Sequence, residues 1–402
     1  MQYYALTAMG QILQSKEQAY RQDDPPDSDI APPSDDYAGA AAGSGHSWLF
    51  LLAAALLAMF TWLGCSLAYA QSEKNVLRIA TTAFSEGGKA SISGTPYRVQ
   101  QEGWLEQELA KRGIALEWFA VTGDTGATMN EAFASGRIQF ASYGDLPSVI
   151  LNAGGVRTQV VVPAGRGTDM FLMVPPNSSA QSIADLKGKK ISVHRGRPWE
   201  LGLLHLIEDN KLSPKDFKLV NMDIKPGTAA LATGAVDAIF LIGAYPIEDK
   251  GIGKIIWSSK GRPDRKMRAE LWAKKDYIQA NPDVTDLVVT AWLKAQYWAS
   301  QDANREAVIK DGTRSGVPES VVRRSYDDPS LSWKDRFNPS YDEVVYRHYR
   351  GVLDFARNQK LIAKDLQAEE LLEPRYVRAA LKKLELSNYW SSARGTPLAA
   401  VN

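Results

Sequence analysis

Two short strings in this 402-residue chain set hydrogen-bond donors beside glycine and proline in the way that anion capture requires. In Gly144-Asp145-Leu146-Pro147-Ser148 a turn leads into a helix with proline in its opening turn, where the missing N–H costs no internal bond and neighbouring amides stay free. In Arg195-Gly196-Arg197-Pro198-Trp199 two arginines flank a glycine, between a strand ending at His194 and a helix starting near Trp199. Helix amino ends carry unpartnered N–H groups, and guanidinium groups add charge-assisted, sometimes bidentate bonds, so both strings suit the oxygens of a small anion. The same arginines could instead be solvated or paired across a junction between lobes. Trp199 could stack on an aromatic ligand or pack beneath its own helix.

Nothing in the sequence assembles catalytic chemistry. There is no Gly-x-Ser-x-Gly elbow, no His-Glu-x-x-His helix and no Walker A string. His194 and His205 lack further ligands at compatible spacing, so no metal and no cofactor is expected. Cys65 is the only cysteine, which leaves no disulfide and no cysteine-rich metal cluster. Runs of Lys and Arg interleaved with aromatics, as nucleic-acid binding would need, are not found.

The elements that must position these strings alternate. Val76-Leu77-Arg78-Ile79-Ala80 reads as a first strand, followed by a flexible loop at Ser85-Glu86-Gly87-Gly88-Lys89-Ala90. A helix pattern over 99–112 ends at Gly113, and a strand follows over 115–119. Further strands are predicted over 138–141, 158–162, 190–194 and 238–242, with helices between them, the pattern of a mostly parallel sheet flanked by helices. After Trp257 long helical patterns take over, the strongest running from Asn281-Pro282-Asp283 to about Gln301.

Residues 1–47 are too polar and too rich in glycine and proline to bury a core, and are expected to be a disordered extension. Residues 48–70 carry no charge and end in Ala68-Tyr69-Ala70, a fit to a signal peptide cleaved after Ala70 or to a retained membrane anchor. Leu63-Gly64-Cys65-Ser66 also resembles a lipobox. Removing residues 1–70, with two basic and seven acidic side chains, raises the net charge from +1 to +6, a modest attraction for anions.

From about Leu77 to Leu361 the order of elements and three strings resemble the periplasmic binding proteins of ABC importers for aliphatic sulfonates, taurine and nitrate. The strings are 129–147, ending in Ala141-Ser142-Tyr143-Gly144-Asp145-Leu146-Pro147; 183–193, containing Asp185-Leu186-Lys187-Gly188-Lys189-Lys190; and Leu231-Ala232-Thr233-Gly234-Ala235-Val236-Asp237-Ala238. The resemblance implies an α/β, two-lobed periplasmic binding protein fold (type II) with additional C-terminal helices. Its first lobe would comprise 71–168 and, with the C-terminal helices, 258–402; the second would span 169–257. It implies a non-enzymatic, exported solute-binding protein that captures a small organic anion, a sulfonate or sulfate ester, and delivers it to ABC transporter permease subunits. By the same resemblance Gly144 and Asp145 line the cleft, and Arg195, Gly196, Arg197 and Trp199 occupy the loop of a phosphate-like site. Thr82 becomes a hydroxyl donor, Phe84 a wall, and Tyr245 a wall with a phenolic donor. Where many relatives have Trp-Asp-Pro, this chain has Gly243-Ala244-Tyr245-Pro246, and the missing carboxylate points to an amine-free anion. Binding of a thiamin-pyrimidine precursor and a membrane-tethered ligand sensor are the alternative expectations.

Overall fold

The computed structural model describes residues 75–86 and 89–390, all within one compact unit, Ala68–Asn402. The expected extension and the signal or anchor segment lie outside the described residues. Among the described residues, no helix is long and apolar enough to cross a membrane.

In chain order the first elements are β1 (Val76–Glu86), β2 (Lys89–Ile92), α1 (Gly94–Glu102), α2 (Trp104–Ala110), β3 (Ala115–Val121), α3 (Thr125–Ala134), β4 (Phe140–Gly144), α4 (Asp145–Ala153) and β5 (Thr158–Val162). The chain then crosses to β6 (Met170–Val174), β7 (Lys190–Val193), α5 (Pro198–Asp209), β8 (Lys218–Asn221), α6 (Ile224–Ala232), β9 (Ala238–Ile242), α7 (Tyr245–Asp249) and β10 (Lys254–Ser258). It returns through β11 (Ala269–Lys274), α8 (Lys275–Ala280) and α9 (Pro282–Ser300), and ends in α10 (Arg305–Thr313), α11 (Glu319–Ser325), α12 (Glu343–Asn358), α13 (Ala368–Leu371) and α14 (Arg375–Lys383).

Two sheets result. The first has the order β2-β1-β4-β11-β5, with β3 also paired to β1; β1 runs parallel to β3 and β4, whereas β11 is antiparallel to both its neighbours. The second has the order β10-β6-β9-β7-β8. Each sheet is covered by helices, which is why β6 reads as an unbroken apolar run, β5 ends in three valines, and both are buried at every residue. The result is the α/β two-lobed fold with extra C-terminal helices.

Three local readings need correction. The stretch read as a flexible loop after the first strand is a hairpin, with Phe84 opposite Ser91 and Ala83 opposite Ile92. The helix read over 99–112 begins at Gly94 and breaks at Gly103, whose φ of 62° caps α1 in the left-handed region and starts α2 afresh. The region after Trp257 is not wholly helical: β11 enters the middle of the first sheet. α9 matches its pattern, with Pro282 at its amino end and Val284, Leu287, Val288, Ala291, Trp292 and Ala295 buried.

Two crossings join the lobes, 163–169 outward and 259–268 back. Gly165 on the first crossing has φ 103° and packs so closely on the Arg336 carbonyl that no side chain fits there. The crossings are bolted by buried ion pairs. Lys266 Nζ reaches Asp169 Oδ1 at 2.5 Å and Asp328 Oδ2 at 2.9 Å, and Asp169 also accepts from Ser259 Oγ. Burial alone would raise the Asp328 carboxyl, but hydrogen bonds from Ser330 and Lys266 outweigh it and hold the group well below the usual carboxylate range. Asp169 thus has a structural role, tying the two crossings together.

Candidate functional site

Thr82 and Ala83 of β1 and the carboxyl ends of β4 and β9 meet the returning crossing in a cleft between the lobes, at the end of the sheets where open α/β folds place ligands. The cleft holds two chambers. The smaller, about 260 Å³, is lined by Thr82, Thr125, Gly144, Arg197, Trp199 and Asp223 among others. The larger, about 530 Å³, is lined by the amino end of α1, by Arg98, Tyr245 and Arg268, and by residues of α9, α10 and α11. Ala269 belongs to the walls of both.

Around the smaller chamber the lobes touch. A Cβ on Gly144 would lie 2.5 Å from Pro198 Cγ, so glycine is required here by the approach of the second lobe. Arg197, the N-cap of α5, extends across the junction. Its Nη1 donates to Thr125 Oγ1 at 3.2 Å, its Nη2 donates to the Gly123 carbonyl at 3.4 Å, and Nη2 lies 3.2 Å from Asp124 Oδ1. The residue is only 9% exposed, so its guanidinium is paired across the junction rather than solvated. Behind it, Leu201 of α5 is buried in the first lobe's apolar core, and His205 faces Gly351 of α12. Burial, then the nearby charges of Arg265 and His348, lower the His205 pKa to about 4.

Of the residues singled out in the sequence, Thr82, Gly144, Arg197 and Trp199 come together on the smaller chamber. Trp199 packs in the second lobe's core, its indole N–H buried without a partner. Tyr245 lines the larger chamber instead, edge-on to Phe171 and beneath the Arg324 guanidinium at 4.0 Å. Phe84, Asp145, Arg195 and Gly196 line neither. The Asp145 carboxylate is consumed internally: Oδ1 accepts from the Leu146 amide at 2.6 Å, and Oδ2 lies 2.5 Å from His348 Nε2. The Arg195 amide donates to Asn221 Oδ1 and the Gly196 amide to Glu200 Oε2, so these loop amides are already spent. His194 pairs with Asp223 at 3.3 Å. Phe84 lies under Arg314, which donates to Ser91 Oγ and the Ile92 carbonyl.

Sequence reasoning missed the larger chamber's polar groups. Arg268 and Glu270 alternate with Met267 and Ala269, as a half-exposed strand would, yet Arg268 is 1% exposed and Glu270 0%. Arg268 Nε donates to Glu270 Oε1 at 2.6 Å and Nη2 to the Gly165 carbonyl at 2.9 Å. Glu270 Oε2 accepts from the Ala164 amide. Burial works against the Arg268 charge, but Glu270 more than restores it, and the pKa is raised. Among the described residues, no group of three metal-ligating side chains occurs.

Residues 96–305 match the family model described as NMT1/THI5 like. The chain belongs to that family. Within the NMT1/THI5-like fold, the chain is similar to a crystal structure from Methylobacillus flagellatus KT assigned as a periplasmic sulfonate-binding protein SsuA. The two share 42% identity and a TM-score of 0.73, covering 80% of this chain and 98% of that one. The taurine-binding periplasmic protein of Escherichia coli K12 is 26% identical over 243 residues, 57% of this chain and 72% of its own length. The alkanesulfonate-binding protein SsuA of Xanthomonas axonopodis pv. citri, solved with MOPS, shares the fold at 21% identity and a TM-score of 0.58, covering 75% of this chain and 98% of that one.

Proposed function

We propose that this protein is the extracytoplasmic solute-binding component of an ABC importer, and that its cleft captures a small organic anion, a sulfonate or sulfate ester, for delivery to permease subunits in the membrane. The observation that carries this reading is a cleft walled by both lobes, with Arg98, Arg268 and Arg336 on the first-lobe side and one arginine of the second lobe, Arg197, that already reaches across to the first. A ligand touching both walls stabilises the closed arrangement by its differential affinity for it, and the closed form is what a permease can distinguish from the empty protein. The names carried by the similar proteins, sulfonate-binding, taurine-binding and alkanesulfonate-binding, support the anion class. The family and those relatives also support a periplasmic location and a binding rather than catalytic role.

Within that class, the absence of a carboxylate before Pro246 favours anions without an amine. The test is a thermal-shift screen of the purified protein against taurine, alkyl and aryl sulfonates, sulfate esters, nitrate and thiamin precursors. Amine-free sulfonates are expected to raise the melting temperature most. Stabilisation by a pyrimidine precursor alone would replace the sulfonate reading.

A further inference from the structure

Arg268 is a buried cation with part of its hydrogen-bonding capacity left over. Its Nε and Nη2 are spoken for, but Nη1 is buried without a partner, while the side chain lines the larger chamber. A guanidinium carries five N–H donors, and leaving buried ones unmet is costly unless something else meets them. The amino end of α1, a nine-residue helix, lines the same chamber through Ser93, Gly94 and Thr95, and the Ser93 side chain makes no capping bond. The chamber's charges nearly balance: Arg98, Lys266, Arg268 and Arg336 stand against Asp169, Glu270 and Asp311. Recognition there rests on directional donors rather than on net field. The remaining walls are apolar and aromatic, with Phe171, Trp298, Tyr326 and Phe337 among them, and Arg98 stacks on Trp298 at 3.7 Å. At about 530 Å³ the space falls in the range of roughly 300–1,000 Å³ that holds drug-sized ligands.

We infer that the larger chamber is the site of a bulky organic anion, an aryl or long-chain alkyl sulfonate, whose head group takes the free Nη1–H of Arg268 and the α1 amides while its tail lies between Trp298, Tyr326 and Phe337 on one side and Phe171 and Tyr245 of the second lobe on the other. This rests on the reading of the cleft as an anion-capturing site and adds which chamber holds the anion and what size of tail it carries. Arg197, engaged by the first lobe through both Nη1 and Nη2, is a latch in this scheme and not the head-group donor.

The test is a crystal structure of the protein with 4-bromobenzenesulfonate, the bromine located by anomalous scattering, together with calorimetry against ethanesulfonate. The inference expects the sulfonate oxygens about 3 Å from Arg268 Nη1, bromine beside Trp298 or Phe337, and at least tenfold tighter binding of the aryl compound than of ethanesulfonate. Bromine in the smaller chamber against Trp199, or equal affinities, would overturn the inference and leave the anion reading standing. No binding of any sulfonate or sulfate ester would remove that reading and this site with it. Because Arg268→Gln strands Glu270, it is paired with the double variant Arg268→Gln/Glu270→Gln, which keeps a neutral buried pair. Both are expected to lose at least tenfold in affinity for 4-bromobenzenesulfonate, and unchanged affinity in a folded double variant would count against the inference.

Discussion

Two arginines on the two sides of one cleft have opposite surroundings. Arg197 beside the smaller chamber spends its guanidinium on Thr125, Gly123 and Asp124 of the other lobe, whereas Arg268 beside the larger one keeps a buried Nη1 unmet. Both are enclosed, so burial does not separate a binding residue from a structural one. The difference lies in which donors remain after the protein has used its own acceptors. An arginine whose donors are used holds lobes together; one whose donors are left over is arranged for something the chain does not contain.

The largest effect should come from holding the latch side apart. Gly144→Val places a branched side chain where Pro198 Cγ stands 2.5 Å from a Cβ, so the lobes cannot seat. Affinity for an aryl sulfonate is expected to fall by at least a hundredfold by calorimetry with the circular dichroism spectrum unchanged, and unaltered affinity would show that the bound lobes do not come this close.

Arg197→Ala removes the latch itself. A loss of about tenfold, roughly 1.4 kcal/mol, is expected, and the same loss from Asp124→Ala should not add to it in the double variant because both break one contact. Full additivity would separate the two residues and return Arg197 to the role of ligand donor.

The opposite seam supplies a smaller effect. Arg324 of α11 pairs with Glu248 and Asp249 of the second lobe and covers Tyr245, but it is 38% exposed, and exposed pairs contribute little. Arg324→Ala should therefore change affinity by less than about threefold. A loss as large as that of Arg197→Ala would shift the weight of closure to the C-terminal helices.

The smallest effect concerns pH. His205 titrates near 6.5 when unfolded and at about 4 in place, because burial and the charges of Arg265 and His348 disfavour its proton. Between those values the unfolded chain binds more protons, so this contribution to stability is complete above about pH 6.5 and is lost as the pH falls toward 4. Melting temperatures of wild type and His205→Gln, measured at pH 7 and pH 5, should show the smaller drop in the variant. An identical drop would place the acid sensitivity elsewhere.

Much of the scaffold was legible because its signals are local. β9 was delimited at 238–242 by an unbroken apolar run, β5 at 158–162 by its run of three valines, and α9 by Pro282 and a helical stripe. The hairpin at Phe84 was not, since two adjacent glycines read as a loop whichever way the flanking residues pair. Nor was β11, whose charged alternation marks a solvent face in isolation and a buried Arg268–Glu270 pair only once the crossing strands meet. The site was divided in the same way. Strings with turn chemistry led to Gly144 and Arg197, but whether an amide such as that of Gly196 is free depends on Glu200 reaching back, and whether Asp145 faces a ligand depends on His348, 203 positions away. Those are tertiary facts.

The central claim is that an organic anion is held by both lobes at once, and hydrogen–deuterium exchange with and without benzenesulfonate tests it most directly. Slowed exchange is predicted in the first-lobe segment 93–98 and in the second-lobe segment 243–245 together. Slowing confined to one lobe, or to neither, would contradict it.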